Sequence, residues 1–136
     1  MLYLDTSALA KLYIIEPGGE AVEALAEENE GGLSTSVATF AEVLSVLARS
    51  LREKRISRRN YQVQKQAFLT DWSAFHVVDV TPAVLSPAPR LIERYGLRGF
   101  DAIQLCSALW IGRPLFACFD LRLRQAAAAQ GLSVMP

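Results

Sequence analysis

The sequence predicts an α/β fold, a single domain over residues 1–136 with a central parallel sheet and helices on both faces. Three observations predict it. Short apolar runs alternate with longer stretches of helical spacing, as expected where consecutive parallel strands are joined by helical crossovers. Glycine and proline clusters separate the two kinds of segment. At 136 residues, 51% of them hydrophobic, the chain is long enough to fill one core and leaves nothing for a second.

Residues 2–4 are the first apolar run, and Asp5-Thr6-Ser7 then offers capping side chains before a helix predicted over residues 8–15. Glu16-Pro17-Gly18-Gly19 breaks that helix. Val22, Leu25 and Ala26 give residues 20–29 helical spacing, Gly31-Gly32 punctuates, and residues 33–36 form a short second strand. Thr39-Phe40-Ala41-Glu42 has the form of a capping box, opening a long helix to about residue 55 with Phe40, Val43, Leu44, Leu47 and Leu51 as its apolar stripe. Glu42, Ser45, Arg49 and Arg52 fall on the opposite, polar face. Ser57 caps a further helix over residues 58–75.

Residues 76–80 read as a strand, and Thr81-Pro82 as a helix opening that Pro87 and Pro89 interrupt before residues 90–95 resume it. Gly96 and Gly99 bracket a turn, and residues 100–110 form an apolar, buried helix. A strand at 115–119, an alanine-rich helix at 121–130 stopped by Gly131, and a last strand at 132–135 complete the order. No helical segment is apolar enough for a membrane span and no basic leader precedes residue 2, so the expectation is a soluble, cytoplasmic protein.

The 14 basic and 14 acidic residues cancel, so composition alone announces no nucleic-acid binder. Their placement is uneven. Eight acids face Lys11 alone in residues 1–48, whereas residues 49–59 hold six Lys or Arg against Glu53, so a basic band is expected beside an acidic region. Phosphate contact by Arg49 and Arg52 is the functional reading of that band, and a solvated surface the plain one. Cys106 and Cys118 lack a CxxC partner and read as small core residues.

Asp5, Glu42, Asp101 and Asp120 each fall at a predicted helix start, and Asp5 and Asp120 lie just beyond apolar strands. In a parallel sheet such positions meet at the carboxyl edge, where ligands bind. Singly, each acid has a structural role available as an N-cap, a dipole partner or the capping-box glutamate. Together they make a crowd of like charges that protonation or a bound cation must relieve. Phe100, Ala102 and Ile103 flank Asp101, and Phe119 and Leu121 flank Asp120, which predicts apolar settings where an unpaired charge is expensive.

Other chemistries fare worse. His76 is the only histidine and sits in a valine-rich strand, which leaves a histidine-pair nuclease without its residues and a Ser-His-Asp triad poorly supported. No glycine-rich nucleotide loop is present. Aspartyl-phosphate chemistry at Asp5 remains a rival, although haloacid-dehalogenase-type phosphatases place a second Asp where this chain has Ser7.

LYLDTSALAKLY at 2–13, TFAEVL at 39–44, YGLRGFDAIQLCSAL at 95–109 and FACFDLRLRQAAAAQGLSV at 116–134 together resemble the PIN domain family, and within it the VapC-like toxin ribonucleases of type II toxin–antitoxin pairs. The resemblance implies a PIN-like fold and a Mg²⁺- or Mn²⁺-dependent endoribonuclease that hydrolyses RNA phosphodiester bonds. It implies Asp5, Glu42, Asp101 and Asp120 as the acidic constellation that holds the metal, with Ser7 and Thr6 as supporting hydroxyls. Within that set the expected division of labour makes Asp5 and Asp101 the principal metal ligands, Asp120 a direct or water-mediated one, and Glu42 the orienter or base for the attacking water. A homodimer and a cognate antitoxin protein are implied too. A catalytically silent module that binds RNA or protein is the alternative from another class. Two departures from the family pattern stand out: Cys118 replaces a hydroxyl two residues before the last acid, and Pro87 and Pro89 fall in what is usually an unbroken helix.

Overall fold

The computed structural model describes residues 1–136. Strands β1 (Leu2–Leu4), β2 (Leu33–Ser36), β3 (His76–Val78), β4 (Leu115–Ala117) and β5 (Ser133–Met135) pair in the order β3-β2-β1-β4-β5, every pair parallel. β1 takes the centre because all three of its residues are apolar and buried, which only a strand covered on both faces can satisfy. Its alternation sorts two cores. Leu2 and Leu4 face α1 (Thr6–Leu9), α2 (Gly19–Glu28), α3 (Ala38–Arg52) and α4 (Arg58–Trp72), packing with Leu9, Val22, Val43, Leu47 and Phe68. Tyr3 faces the other way, stacking on its β4 register partner Phe116 at 5.5 Å, in a cluster with Leu91, Leu105 and Leu123. Those leucines come from α5 (Ala88–Tyr95), α6 (Gly99–Trp110) and α7 (Leu121–Ala129).

From β1 the chain moves outward through β2 to β3, then returns to place β4 and β5 on the other side. The order therefore reverses between β1 and β4, and a crevice opens beyond the carboxyl ends of such a pair. Asp5 follows β1 directly, and Asp120 lies three residues past Ala117.

Several elements differ from their sequence expectation, each for a local reason. The first helix stops early: α1 tightens into one 3-10 turn, Ala10–Leu12, and Tyr13 leaves the helix to donate its hydroxyl to Asp71 of α4 at 2.8 Å. The capping box at Thr39 does not form. α3 starts at Ala38, whose amide donates to Ser36 Oγ at 3.2 Å, and Thr39 lies buried inside the helix sharing a 2.8 Å hydrogen bond with Thr35. This releases Glu42 from any cap.

α3 ends at Arg52 rather than near residue 55 because Lys54 takes a left-handed φ of 58°. The Arg55 amide then reaches Ser50 O and the Lys54 amide Leu51 O, the paired bonds that close a helix through a left-handed residue. Glycine usually marks that position, and none does here. α4 likewise ends at Trp72, three residues before the expected stop.

Residues 82–87 form turns rather than a helix, with the Val84 amide donating to Thr81 Oγ1 at 3.2 Å. Pro87 and Pro89 do not break α5 but begin it: Pro87 is at the N-cap and Pro89 is in the first turn, where a missing N–H costs nothing. β3 stops at Val78, and His76 lies in this edge strand as expected, with its side chain exposed. β4 and β5 are also trimmed to three residues each.

Candidate functional site

Asp5 closes β1 and starts α1. Its amide donates to Ala117 O at 3.2 Å, extending the β1–β4 seam, and its Oδ1 accepts from the Ala8 amide at 2.9 Å and Ser7 Oγ at 2.7 Å. It is therefore a true N-cap. Ser7 Oγ also accepts from the Phe119 amide at 3.0 Å, tying the loop after β4 to Asp5. The residue is only 4% exposed. Burial pushes its carboxyl up to about 6, against the lowering effect of the Ser7, Ala8 and Cys118 hydrogen bonds, and the charge of Asp101 adds to the rise.

Glu42 is held from two sides. Thr6 Oγ1 donates to its Oε1 at 2.8 Å, and Gln104 Nε2 reaches the same oxygen at 3.2 Å. Gln104 is buried in α6, with Nε2 also 2.9 Å from Thr39 Oγ1 and 3.3 Å from Thr6 Oγ1, while its Oε1 accepts the Tyr3 hydroxyl at 2.6 Å. A core tyrosine thus orients an amide that orients a carboxylate. Gln104 was not among the residues singled out from sequence; a lone amide at a core-facing position of an apolar helix was the available signal.

Asp101 lies in the first turn of α6, and Asp120 caps α7, its Oδ1 accepting from the Leu123 amide at 2.9 Å. Arg98, at the N-cap position of α6, bridges them: Nε is 3.1 Å from Asp101 Oδ2 and Nη2 is 3.8 Å from Asp120 Oδ2. The pair of charges raises the already high basicity of the guanidinium, Asp101 acting most strongly. The Cys118 thiol does not reach the Asp120 carboxylate. It lies 3.6 Å from the Asp120 backbone carbonyl, and burial, helped by the charge of Asp5, pushes its ionisation upward.

Asp5, Thr6, Ser7, Glu42, Asp101 and Asp120 all line one cavity of about 320 Å³, with Arg98 and Gln104. Arg49 lines it too, whereas Arg52, exposed one turn along α3, does not. The apolar settings expected for Asp101 and Asp120 are not realised, and the buried acid is Asp5. Phe100 and Leu121 are 58% and 68% exposed, and the Asp101 and Asp120 side chains retain 19% and 37% of their surface, because both acids sit at the crevice rim. A larger cavity of about 750 Å³ contains none of the four acids and shares only Lys11 and Glu16 with this one. Those two residues form a 2.9 Å ion pair, with Lys11 Nζ 4.6 Å from the centre of the Phe119 ring.

The donor set is oxygen throughout, which suits Mg²⁺ or Mn²⁺. No three acidic, histidine or cysteine side chains stand together in ligating geometry, so Asp5, Asp101 and Asp120 are not pre-assembled as a closed trio. Two of them nevertheless already share a cation, the Arg98 guanidinium. Mg²⁺ keeps several waters and needs only one or two direct carboxylates, so the arrangement fits an open site of that kind.

A family model described as PIN domain matches residues 2–129. Ribonuclease VapC45 of Mycobacterium tuberculosis (strain CDC 1551 / Oshkosh) is 33% identical over 138 aligned positions, covering 100% of this chain and 95% of the relative. Among solved structures, M. tuberculosis VapC20, described as a Sarcin-Ricin loop cleaving toxin, superposes with a TM-score of 0.72 at 20% identity, covering 100% of both chains. A toxin–antitoxin complex from Klebsiella pneumoniae matches with a TM-score of 0.69 at 19% identity, over 100% of this chain and 97% of the other. At those identities the structural matches establish the shared fold.

Proposed function

The chain belongs to the PIN domain family, and from that premise we propose that it is a divalent-metal-dependent endoribonuclease, the toxin of a toxin–antitoxin pair. The observation that carries this reading is the gathering of Asp5, Glu42, Asp101 and Asp120 around one cavity at the carboxyl edge of the sheet. A relative that is 33% identical over the whole chain is named a ribonuclease, and structural neighbours are a toxin and a toxin–antitoxin complex, which supports it.

Asp5, Asp101 and Asp120 are the carboxylates that would hold Mg²⁺ or Mn²⁺, Asp5 from its deeper position on the shared cavity. A bound ion would supply positive charge against the phosphodiester and acidity for water to attack at neutral pH. Glu42 would orient the attacking water: Thr6 and Gln104 occupy Oε1, so Oε2 is the oxygen left to take a hydrogen bond or proton. Ser7 keeps Asp5 and the Phe119 loop in register. Arg49, on the cavity wall, and Arg52, beyond it, draw the RNA backbone toward the acids. The cytoplasmic location, the antitoxin partner and a homodimer belong to the same reading. No helix is long and apolar enough to cross a membrane.

The test is incubation of purified protein with labelled, structured RNA in Mg²⁺, Mn²⁺ or chelator, alongside Asp101→Asn. Cleavage should need the cation and fall at least a hundredfold in the variant; cleavage that persists in chelator overturns the metal-dependent mechanism. Co-expression with the product of an adjacent short reading frame should yield a complex that suppresses cleavage, and light scattering reads whether the free chain is a dimer.

A further inference from the structure

Arg98 stands where the chemistry of the site asks for a cation. Its guanidinium contacts both Asp101 and Asp120, at 3.1 and 3.8 Å, yet the side chain is 79% exposed. The same three residues also line a neighbouring cavity of about 490 Å³, with Gly96, Leu121, Arg122 and Gln125, so the bridge forms the partition between the two spaces. The Arg98 side chain makes no hydrogen bond other than the one to Asp101, and its backbone is extended at the entrance to α6, where its carbonyl accepts from the Ala102 amide at 3.0 Å. Nothing but these two carboxylates holds the guanidinium in place.

We propose that Arg98 is a displaceable counter-ion, which neutralises Asp101 and Asp120 in the metal-free chain, competes with a divalent cation for them, and swings into solvent when the cation binds. The inference rests on the cation-dependent reading of the site above. Its physical basis is that two cations cannot share the same pair of oxygens at contact distance without strong repulsion. A solvent-exposed ion pair is weak, so displacement is within reach of an ordinary binding energy. The guanidinium hydrogen-bonds Asp101 and stands 3.8 Å from Asp120 Oδ2, the oxygen that the N-cap bond to the Leu123 amide leaves free. By linkage, whatever favours the Arg98 bridge weakens cation affinity by the same factor.

The experiment is calorimetric titration of Mn²⁺ into the full chain without RNA, for wild type, Arg98→Gln, Arg98→Lys and Arg122→Gln. Arg122 lines the neighbouring cavity and donates to Gly96 O at 3.0 Å, so its variant removes an equal charge without touching the acids. Arg98→Gln should bind Mn²⁺ about three- to tenfold more tightly, Arg98→Lys should stay near wild type, and Arg122→Gln should change less than twofold. The Arg98 Nε–H resonance of the wild type should shift on Mg²⁺ addition as its carboxylate partners are lost. Unchanged or weaker Mn²⁺ affinity in Arg98→Gln, or equal tightening in Arg122→Gln, overturns the proposal while the nuclease reading stands. Failure of every variant to bind Mn²⁺ overturns both.

Discussion

Gln104 Nε2 lies 3.2 Å from Glu42 Oε1, while the other end of the same amide accepts the Tyr3 hydroxyl at 2.6 Å. Through this pair the stacked core of the sheet sets the position of an acid at the cavity wall. Gln104→Ala should lower kcat on RNA roughly 10–100-fold through misplacement of Glu42. It should also cost about 1–3 kcal/mol of stability, since the buried Tyr3 hydroxyl loses its acceptor, while Thr39 keeps its hydrogen bond with Thr35. Steady-state kinetics with urea unfolding separates the two effects: a stability loss with unchanged kcat would mean that Gln104 serves the core alone. In a double-mutant cycle with Glu42→Gln, the kinetic losses should not add.

Asp5 predicts a pH dependence. Its folded value, about 6, is above its ordinary 3.8, so the folded state holds the proton more tightly than the unfolded chain. The resulting stabilisation is full below about pH 4 and is lost as pH rises through 6, a difference of roughly 3 kcal/mol. Asp5→Asn retains an N-cap acceptor without the charge. In metal-free buffer it should be more stable than wild type at pH 8, by about 1–3 kcal/mol, and converge with it near pH 4. Denaturation at both pH values checks this, and a variant less stable at pH 8 would contradict it. Cleavage by Asp5→Asn should be lost at every pH.

Gly18 is the backbone position where a side chain has no room. Its φ is +91°, and an added Cβ would stand 2.7 Å from Phe119 Cε1. Gly18→Ala should cost about 1–3 kcal/mol from the left-handed backbone, before any ring displacement. Phe119 also meets Lys11 and, through its amide, Ser7, so activity should fall with it. Thermal unfolding and RNA cleavage measured on the same preparation test the coupling; a destabilised variant with full activity would show that the loop and the acids are independent.

Arg49 and Arg52 should separate. Only Arg49 lines the acidic cavity, so Arg49→Ala should raise KM for RNA with kcat largely kept and reduce the salt dependence of binding by about one ion. Arg52→Ala should do less. Binding measured across a salt series with an Asp101→Asn background gives the slopes, and equal slopes for the two variants would remove the distinction.

The alternation of strands and helices, the parallel sheet and the four acids at its carboxyl edge were all legible in the chain. Strand-length apolar runs such as residues 2–4 specify burial on both faces, and position after a strand specifies an edge. Helix ends were less legible where a distant contact decided them. Tyr13 leaves its helix for Asp71, and Lys54 takes the left-handed turn that glycine normally marks. Pro87 and Pro89 are ambiguous by themselves, since proline both breaks a helix interior and begins a helix; only the turn over residues 82–87 selects the second.

The sequence by itself determined which groups could do chemistry: a set of carboxylates with no usable histidine and no nucleotide loop, carried on a fold whose periodicity brings them to one edge. Tertiary structure alone decided the state of each. Burial at the β1–β4 seam raises Asp5, a buried amide 62 residues away from Glu42 in the chain holds that acid, and Arg98 spans Asp101 and Asp120. The reason is range: periodicity and capping act over a few residues, whereas desolvation and charge pairing depend on which atoms the folded chain brings within a few ångströms.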